Sequence, residues 1–388
     1  MRVLAACSLG GAGHLNPLLP FLAAARRRGD ETLVVGPPAL TEMVALAGHP
    51  FRPGGEPPEA EVARVRERLP VLPPAEASVL GNRELFGRLA TTAMLPEMEQ
   101  VCTEWRPDLV LREPCEYASA IVARGLGIHS AQVAISLSEG EAASITTAAP
   151  ALEEHQRGLV QHLRASPYLT RFPGSLDPPV FPTTVRFREP VRHPSAHLPD
   201  WWGGSRAPLL YMTFGTVLGY MSIAPGICRT ALQAVKGLGV RVLLTVGRRL
   251  DRASLGPIPP NVHVEAWVDQ AVVLDQAEVV VCHGGSGTAF GAMTAGVPVV
   301  VVPLFADQFE NARRIAEAGA GLAVHEAPQG AGAERRVIGQ DAAPRIAQAI
   351  EEVLTDHSYR LHAARISMEI ANAPMVDVVL ESLLSTRS

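Results

Sequence analysis

Residues 279–321 read VVVCHGGSGTAFGAMTAGVPVVVVPLFADQFENARRIAEAGAG, and this stretch decides the fold. Residues 279–282 (VVVC) form an apolar run of the kind buried in parallel sheets. HGGSGT at His283, Gly284, Gly285, Ser286, Gly287 and Thr288 then turns tightly into an alanine-rich helix predicted over about residues 289–295. Glycines let backbone approach a ligand closely, and the unpaired N–H groups of a first helical turn carry roughly half a positive charge, so this turn reads as an anion site. Gly296-Val297-Pro298 stops the helix, and residues 299–302 give a second apolar strand. Asp307, Gln308, Glu310 and Asn311 follow at its carboxyl end, where ligands bind in open α/β sheets. The segment suits a diphosphate joined to a group rich in hydroxyls.

Working outward, the chain divides into two similar halves. The first opens with a strand over residues 2–7, a glycine loop at 10–13, a helix over about 17–28 and a strand over 31–35, which is a βαβ start. Further strands are predicted at 109–111 and 129–133, with a helix over 117–126 between them. The second half repeats the plan, with a strand at 209–213, a glycine turn at Gly215, a helix over 223–236, and strands at 241–245 and 262–265. The proline- and glycine-dense segment 186–208 separates them. The expected organisation is therefore an α/β chain of two Rossmann-like, doubly wound parallel-sheet domains facing across a cleft, the usual place for a ligand. Its boundaries are 1–190, a linker at 191–207, a second domain at 208–370, and a C-terminal helix at 371–388 packing back on the first domain. Residues 56–74 are charged and proline-rich, with helical pieces following to Glu104. A long irregular insertion of this kind carries specificity rather than scaffold.

Composition narrows the function. A chain of 388 residues with 47% hydrophobic content can bury two large cores. The net charge of −5 with no basic run disfavours a nucleic-acid partner. No apolar stretch reaches the ~20 residues of a membrane helix, the N-terminal run is too short for a signal peptide, and a cytoplasmic location is expected. The 5 cysteines contain no C-x-x-C pair, so neither a disulfide framework nor a zinc site is indicated. Lys236, the only lysine, follows no G-x-x-x-x-G stretch, which removes a P-loop.

The combination of WVDQ at residues 267–270, HGGSGT at 283–288, Gly296–Pro298, and Asp307-Gln308 with Asn311 resembles the donor signature of inverting GT-B nucleotide-sugar glycosyltransferases. The length, the GAGHLNPLLP opening and the tail EIANAPMVDVVLESLL are similar to actinobacterial antibiotic glycosyltransferases of the calicheamicin and urdamycin type. The resemblance spans nearly the whole chain, apart from about residues 53–98. It implies transfer of a sugar, with a nucleotide diphosphate sugar as co-substrate and no further cofactor, to a hydroxyl of a small hydrophobic aglycone. A homodimer is also compatible with it.

Such a reaction needs a base for the acceptor's proton and stabilisation of the departing diphosphate. His14 ends the first glycine loop and has a suitable ordinary pKa. The resemblance makes it the base. The carboxylate partner corresponds to Glu113 in LREPCEYAS, a glutamate where aspartate is more familiar, and Glu116 is the substitute candidate. Taken alone, His14 reads rather as a helix-entry residue bonding the loop backbone, and the presence of the whole signature reverses that preference. For the leaving group, His283 and the N–H groups of residues 284–288 are expected to hold the phosphates, with Gly215 and Thr216 helping from the matching turn. No D-x-D triplet occurs, which suits a helix dipole and a histidine in place of a metal. Trp267 is expected to stack the base and the Val268 backbone to read its edge, the alternative being a buried core tryptophan. Asp307 and Gln308 correspond to sugar-hydroxyl contacts, the alternative being a cap for the following helix. Relatives that use uridine diphosphate sugars carry glutamate three residues after the motif's threonine, against the ribose hydroxyls. Here that residue is Gly291, which points to a thymidine diphosphate deoxysugar.

Three other readings compete. A dinucleotide oxidoreductase would need a third glycine where Asn16 stands and an acid after residues 34–36 (VVG), and both are missing. A non-catalytic auxiliary partner protein is disfavoured by His14, His283 and Asp307-Gln308. A nucleotide-sugar epimerase on the same fold is disfavoured by the apolar, proline-rich acceptor side.

Overall fold

Short apolar runs separated by helices give parallel sheets buried on both faces, and the chain forms two of them. The computed structural model describes residues 1–8, 11–190, 197–219, 221–325 and 339–385, with the side chains of residues 70, 74, 75, 216, 217 and 340 outside that description. The chain divides into two units, Met1–Pro190 with Ala373–Ser388, and Val191–Asn372.

The first unit holds β1 (Arg2–Ala6), β2 (Glu31–Gly36), β3 (Phe51–Pro53), β4 (Leu109–Arg112), β5 (His129–Val133), β6 (Tyr168–Thr170) and β7 (Thr184–Arg186). They form one sheet in the order β3-β2-β1-β4-β5-β6-β7, and every pairing is parallel. Side chains alternate along β1. Val3 and Ala5 face one core with Phe21, Leu22, Val379 and Leu380. Leu4 and Ala6 face another with Met94, Met98, Val101 and Val122. Each large side chain so buried contributes about 1.5–3 kcal/mol. The final helix, Val376–Ser385, supplies Val379, Leu380 and Leu383 to the first of these cores.

The second unit holds β8 (Leu209–Thr213), β9 (Arg241–Thr245), β10 (Val262–Glu265), β11 (Val279–Cys282), β12 (Val299–Val301) and β13 (Gly321–Ala323). Their order, β10-β9-β8-β11-β12-β13, repeats that of the first six strands of the first sheet, again all parallel. Leu210, Met212, Val281 and Val300 pack on one face against Ile227 and Ala231 of helix Ala224–Val235 and Ile346 and Ile350 of helix Ala343–Thr355. No described helix is long and apolar enough to cross a membrane.

Three segments differ from expectation. The helix expected over 17–28 is a short turn, Ala12–Leu15, followed by Leu19–Arg27. Pro17 and Pro20 lack the N–H a continuous helix needs, and Pro20 instead takes a first-turn place. The segment expected to be irregular contains a regular helix, Glu59–Arg68, with Glu59 and Glu61 in its first turn and Arg66 and Arg68 in its last, the arrangement the helix dipole favours. Beyond it the chain stays helical through Pro74–Leu80, a π-helix at Gly81–Ala90 and Thr91–Trp105. Of the linker at 191–207, residues 191–196 lie outside the described residues, and the rest is docked rather than free. Trp201 stacks on His263 with ring centroids 4.1 Å apart, and Trp202 Nε1 donates to the Asn261 carbonyl at 3.2 Å.

Candidate active site

In the first unit the chemistry gathers where the strand order reverses. β1 and β4 are neighbours, pairing Ala6 with Arg112, and the chain leaves them in opposite directions. Their carboxyl ends are therefore the switch point at which doubly wound folds bind ligands. His14 lies on the turn Ala12–Leu15 after β1, and Glu113 directly follows β4. The Glu113 carboxylate is wholly buried and faces His14 Nδ1 at 3.3 Å. It also accepts from the Ser8 N–H at 3.0 Å, from the Ser8 hydroxyl, and from the Cys115 N–H at 2.7 Å. Burial by itself would push this carboxyl up. The His14 charge and the bonds from His14, Ser8 and Cys115 outweigh it and hold the group below the usual carboxylate range, so it is ionised at neutral pH.

Glu116 is placed differently. Both its oxygens accept from the Ser119 N–H at 3.1 Å and one from the Ser119 hydroxyl, at the start of helix Ala118–Leu126, and burial raises its pKa to about 7. Of the two carboxylates the sequence offered, it is Glu113 that His14 meets. The loop between them is shaped by Arg112, which is 1% exposed. Its guanidinium donates to the carbonyls of Glu113, Pro114 and Glu116 at 3.2, 3.1 and 3.1 Å and to Gln132 Oε1 at 2.9 Å. Sequence reasoning missed Arg112 and Ser8. An arginine closing the otherwise apolar run LVL was the available signal, since an unpaired buried arginine is costly.

The second unit uses the same topological position. β8 and β11 are neighbours, pairing Thr213 with Cys282, so the turn at Gly215 and the turn at His283 to Gly285 emerge side by side. The His283 ring is wedged between glycines. A Cβ on Gly215, whose φ is +77°, would come within 2.7 Å of the ring, and one on Gly285 within 2.4 Å of Nε2. Burial lowers the His283 pKa to about 4, against the opposing pull of Asp307 and the Thr213 carbonyl. The imidazole is therefore neutral at pH 7 and offers an N–H rather than a charge. Beside it begins helix Ser286–Thr294, longer at its start than the 289–295 expected. Thr288 and Ala289 bond back to the Gly285 carbonyl, while the N–H groups opening the helix have no partner within it. Gly287 is exposed and Thr288 half-buried. Thr216 sits on the short helix Gly215–Leu218, its side chain outside the described residues.

Asp307 and Gln308 both hold loops in place. Asp307 Oδ2 accepts from Ser286 Oγ at 2.9 Å and from Asn311 Nδ2 at 3.2 Å, and Asn311, fully buried, also donates to the Gly284 carbonyl at 2.8 Å. This network staples the glycine turn to helix Gln308–Glu317. Asp307 stands at the N-cap position of that helix but makes no capping bond to its backbone. Gln308 is 3% exposed, and its Oε1 accepts from the N–H groups of Leu304 and Phe305 at 2.8 and 3.0 Å. Ala306 has φ of +55°, a left-handed conformation that costs a non-glycine residue about 1–2 kcal/mol and that clusters at functional sites. Trp267 is 60% exposed, which removes the core-tryptophan alternative, and Val268 is half-buried. A Cβ on Gly291 would meet only Gln270 Nε2 and Leu274 Cδ1, at 3.7 Å. Among the described residues no group of three or more His, Cys, Asp or Glu side chains could hold a metal ion.

Two sheets of one doubly wound order, each with polar chemistry at its switch point, make the GT-B fold. Solved structures share this fold. Spinosyn Rhamnosyltransferase SpnG aligns with a TM-score of 0.77 at 24% identity, covering 99% of this chain and 100% of that one. The same enzyme has been solved with thymidine diphosphate and with spinosyn aglycone. Residues 229–385 match the family model described as Erythromycin biosynthesis protein CIII-like, C-terminal domain, and residues 23–162 match its N-terminal counterpart. L-demethylnoviosyl transferase of Streptomyces niveus is 31% identical over 99% of this chain and 97% of its own length. Elloramycin glycosyltransferase ElmGT of Streptomyces olivaceus is 33% identical over 83% and 85%. The chain belongs to this erythromycin CIII-like family of antibiotic-biosynthesis glycosyltransferases.

Proposed function

We propose that this enzyme transfers a deoxysugar from a thymidine diphosphate sugar to a hydroxyl of a small apolar natural-product aglycone, with inversion, using His14 as the base and no metal ion. The observation that carries the proposal is the His14–Glu113 pair at 3.3 Å, with an ionised, wholly buried carboxylate behind the imidazole. Glu113 fixes the proton on Nδ1, so Nε2 is the nitrogen that accepts the acceptor's proton. The acceptor oxygen then attacks the anomeric carbon as the bond from that carbon to the diphosphate oxygen breaks. The electron pair leaves with the diphosphate, and a single displacement inverts the centre. The growing negative charge is met by the N–H groups opening helix Ser286–Thr294 and by the neutral His283 N–H.

The donor assignment draws on three supports. Trp267 is exposed and free to stack a pyrimidine, Gly291 offers no carboxylate to a ribose 2′-hydroxyl, and SpnG has been solved with thymidine diphosphate. A small apolar acceptor agrees with the natural-product names of the relatives. The test is calorimetric titration with thymidine and uridine diphosphates, together with turnover of the His14→Ala protein. Thymidine diphosphate should bind more tightly by about 0.5–1.5 kcal/mol. His14→Ala should lower kcat by ~10²–10⁴ with little change in nucleotide affinity. Equal nucleotide affinities overturn the donor assignment, and near-normal turnover without His14 overturns the base.

A further inference from the structure

The π-helix Gly81–Ala90 has no role in the reaction as described so far. Extended π-helix is rare, and where it occurs it often serves a functional site. Here it brings Phe86 to His14, with ring centroids 6.3 Å apart and planes 24° from parallel. Phe86 is half-buried rather than sunk in the core. Its backbone is held on every side. Leu85 and Leu89 are buried against Val65 of helix Glu59–Arg68. Arg88 bonds Glu84 at 2.8 Å and Glu61 of that same helix at 3.2 Å. Gly87 lies so close to helix Ser138–His155 that a Cβ there would come within 3.2 Å of Ala148 Cβ, and the Thr91 hydroxyl bonds the Phe86 carbonyl at 2.8 Å.

We infer that Phe86 is the positioning residue of the acceptor side, setting the plane of the His14 imidazole and forming the apolar wall on which the acceptor's ring lies beside Nε2. The inference rests on His14 being the base. The imidazole meets the Glu113 carboxylate at Nδ1, 3.3 Å away, and the Phe86 ring lies beside it, 24° from parallel, so that Phe86 bounds the side on which the imidazole plane could tilt. Centroids 6.3 Å apart leave too little room for a third ring to slide between the two. An acceptor must therefore lie along Phe86 and offer its hydroxyl to the imidazole edge, which favours flat or ring-rich apolar acceptors over extended polar ones.

The experiment compares the full chain with Phe86→Ala, Phe86→Leu and Phe86→Tyr, using histidine-labelled protein for NMR, with His14→Ala to assign the His14 signals, and the planar phenol alizarin as the acceptor probe. Phe86→Ala should move the His14 ring signals and sharpen them, and should weaken alizarin binding roughly three- to tenfold, leaving thymidine diphosphate affinity unchanged. Phe86→Tyr should restore both readouts, and Phe86→Leu should restore neither fully. His14 signals that are the same in Phe86→Ala and the unaltered protein, or alizarin affinity that is the same in all of them, overturn the inference. The base reading fails separately, through turnover that survives His14→Ala, and that result leaves the NMR comparison standing as a test of Phe86.

Discussion

Glu113→Gln is the sharpest perturbation of the proposed mechanism, because it removes a charge and keeps the volume. Every neighbour of this carboxylate is a donor, namely the Ser8 N–H and hydroxyl, the Cys115 N–H and the protonated Nδ1 of His14. A carboxamide offers one acceptor oxygen and must turn its NH₂ toward one of them. The resulting unsatisfied buried donor should cost about 1–3 kcal/mol of stability. For catalysis, unit charges 3.3 Å apart attract by about 5 kcal/mol at an effective dielectric constant of about 20. The His14 side chain is 21% exposed, and solvent screening there leaves about 2 kcal/mol of support for the imidazolium, or ~30-fold in kcat. Turnover is read as thymidine diphosphate released in the presence of acceptor, and stability as thermal unfolding at a series of pH values. The wild-type carboxyl is held below its ordinary 4.5, so its contribution is complete above that pH and is lost as the pH falls through the folded-state value. The stability gap between the two proteins should therefore narrow in acid. A Glu113→Gln protein whose turnover stays within about threefold of wild type, with a stability gap independent of pH, would refute the reasoning.

Further outcomes follow from the second unit. Because His283 titrates at about 4 when the site is empty and a diphosphate favours its protonated form, affinity for a thymidine diphosphate sugar should be level near neutrality and rise in acid as the pH falls toward 4. Calorimetry on His283→Ala should show a flat profile and an affinity about 10-fold to 100-fold weaker. The same buried histidine should make the fold less stable as the pH drops from 6.5 toward 4, since the unfolded chain then binds the extra proton, and His283→Ala should remove that part of the acid sensitivity. Gly215→Ala should abolish donor binding while the protein stays folded, because its Cβ meets the His283 ring at 2.7 Å and its φ of +77° resists a side chain; normal donor affinity would show that the ring can move aside. Gly291→Glu should fold normally, given 3.7 Å to the nearest atoms, and should narrow or reverse the preference for thymidine over uridine diphosphate in the same titration. A chelator should leave turnover intact, and loss restored by magnesium would overturn the metal-free mechanism.

The strands at 209–213, 241–245 and 279–282 are legible in the sequence to the residue, because a parallel strand buried on both faces is a short, nearly continuous apolar run, and the edge strand at 262–265 shows instead buried Val262 and Val264 alternating with half-buried His263 and Glu265. The glycine turn at 283–288 is legible for a similar local reason, since a Cβ on Gly285 would come within 2.4 Å of the His283 ring. The helix Glu59–Arg68 is hidden in the sequence, because the prolines on either side of it and its own charges resemble a loop until it has Leu85 and Leu89 to pack against. Glu113 and Glu116 follow the same strand three residues apart, and nothing local ranks them. The choice is made by β1 lying beside β4, which brings Ser8 and His14 to Glu113, while Ser119 takes Glu116. Phe86 and His14 are likewise joined only by the folded helical insertion. Strand, turn and helix signals are set by neighbours a few residues away and so are written in the chain. The partner of a buried charge or ring is set by which segments pack together, and the tertiary structure alone decides it.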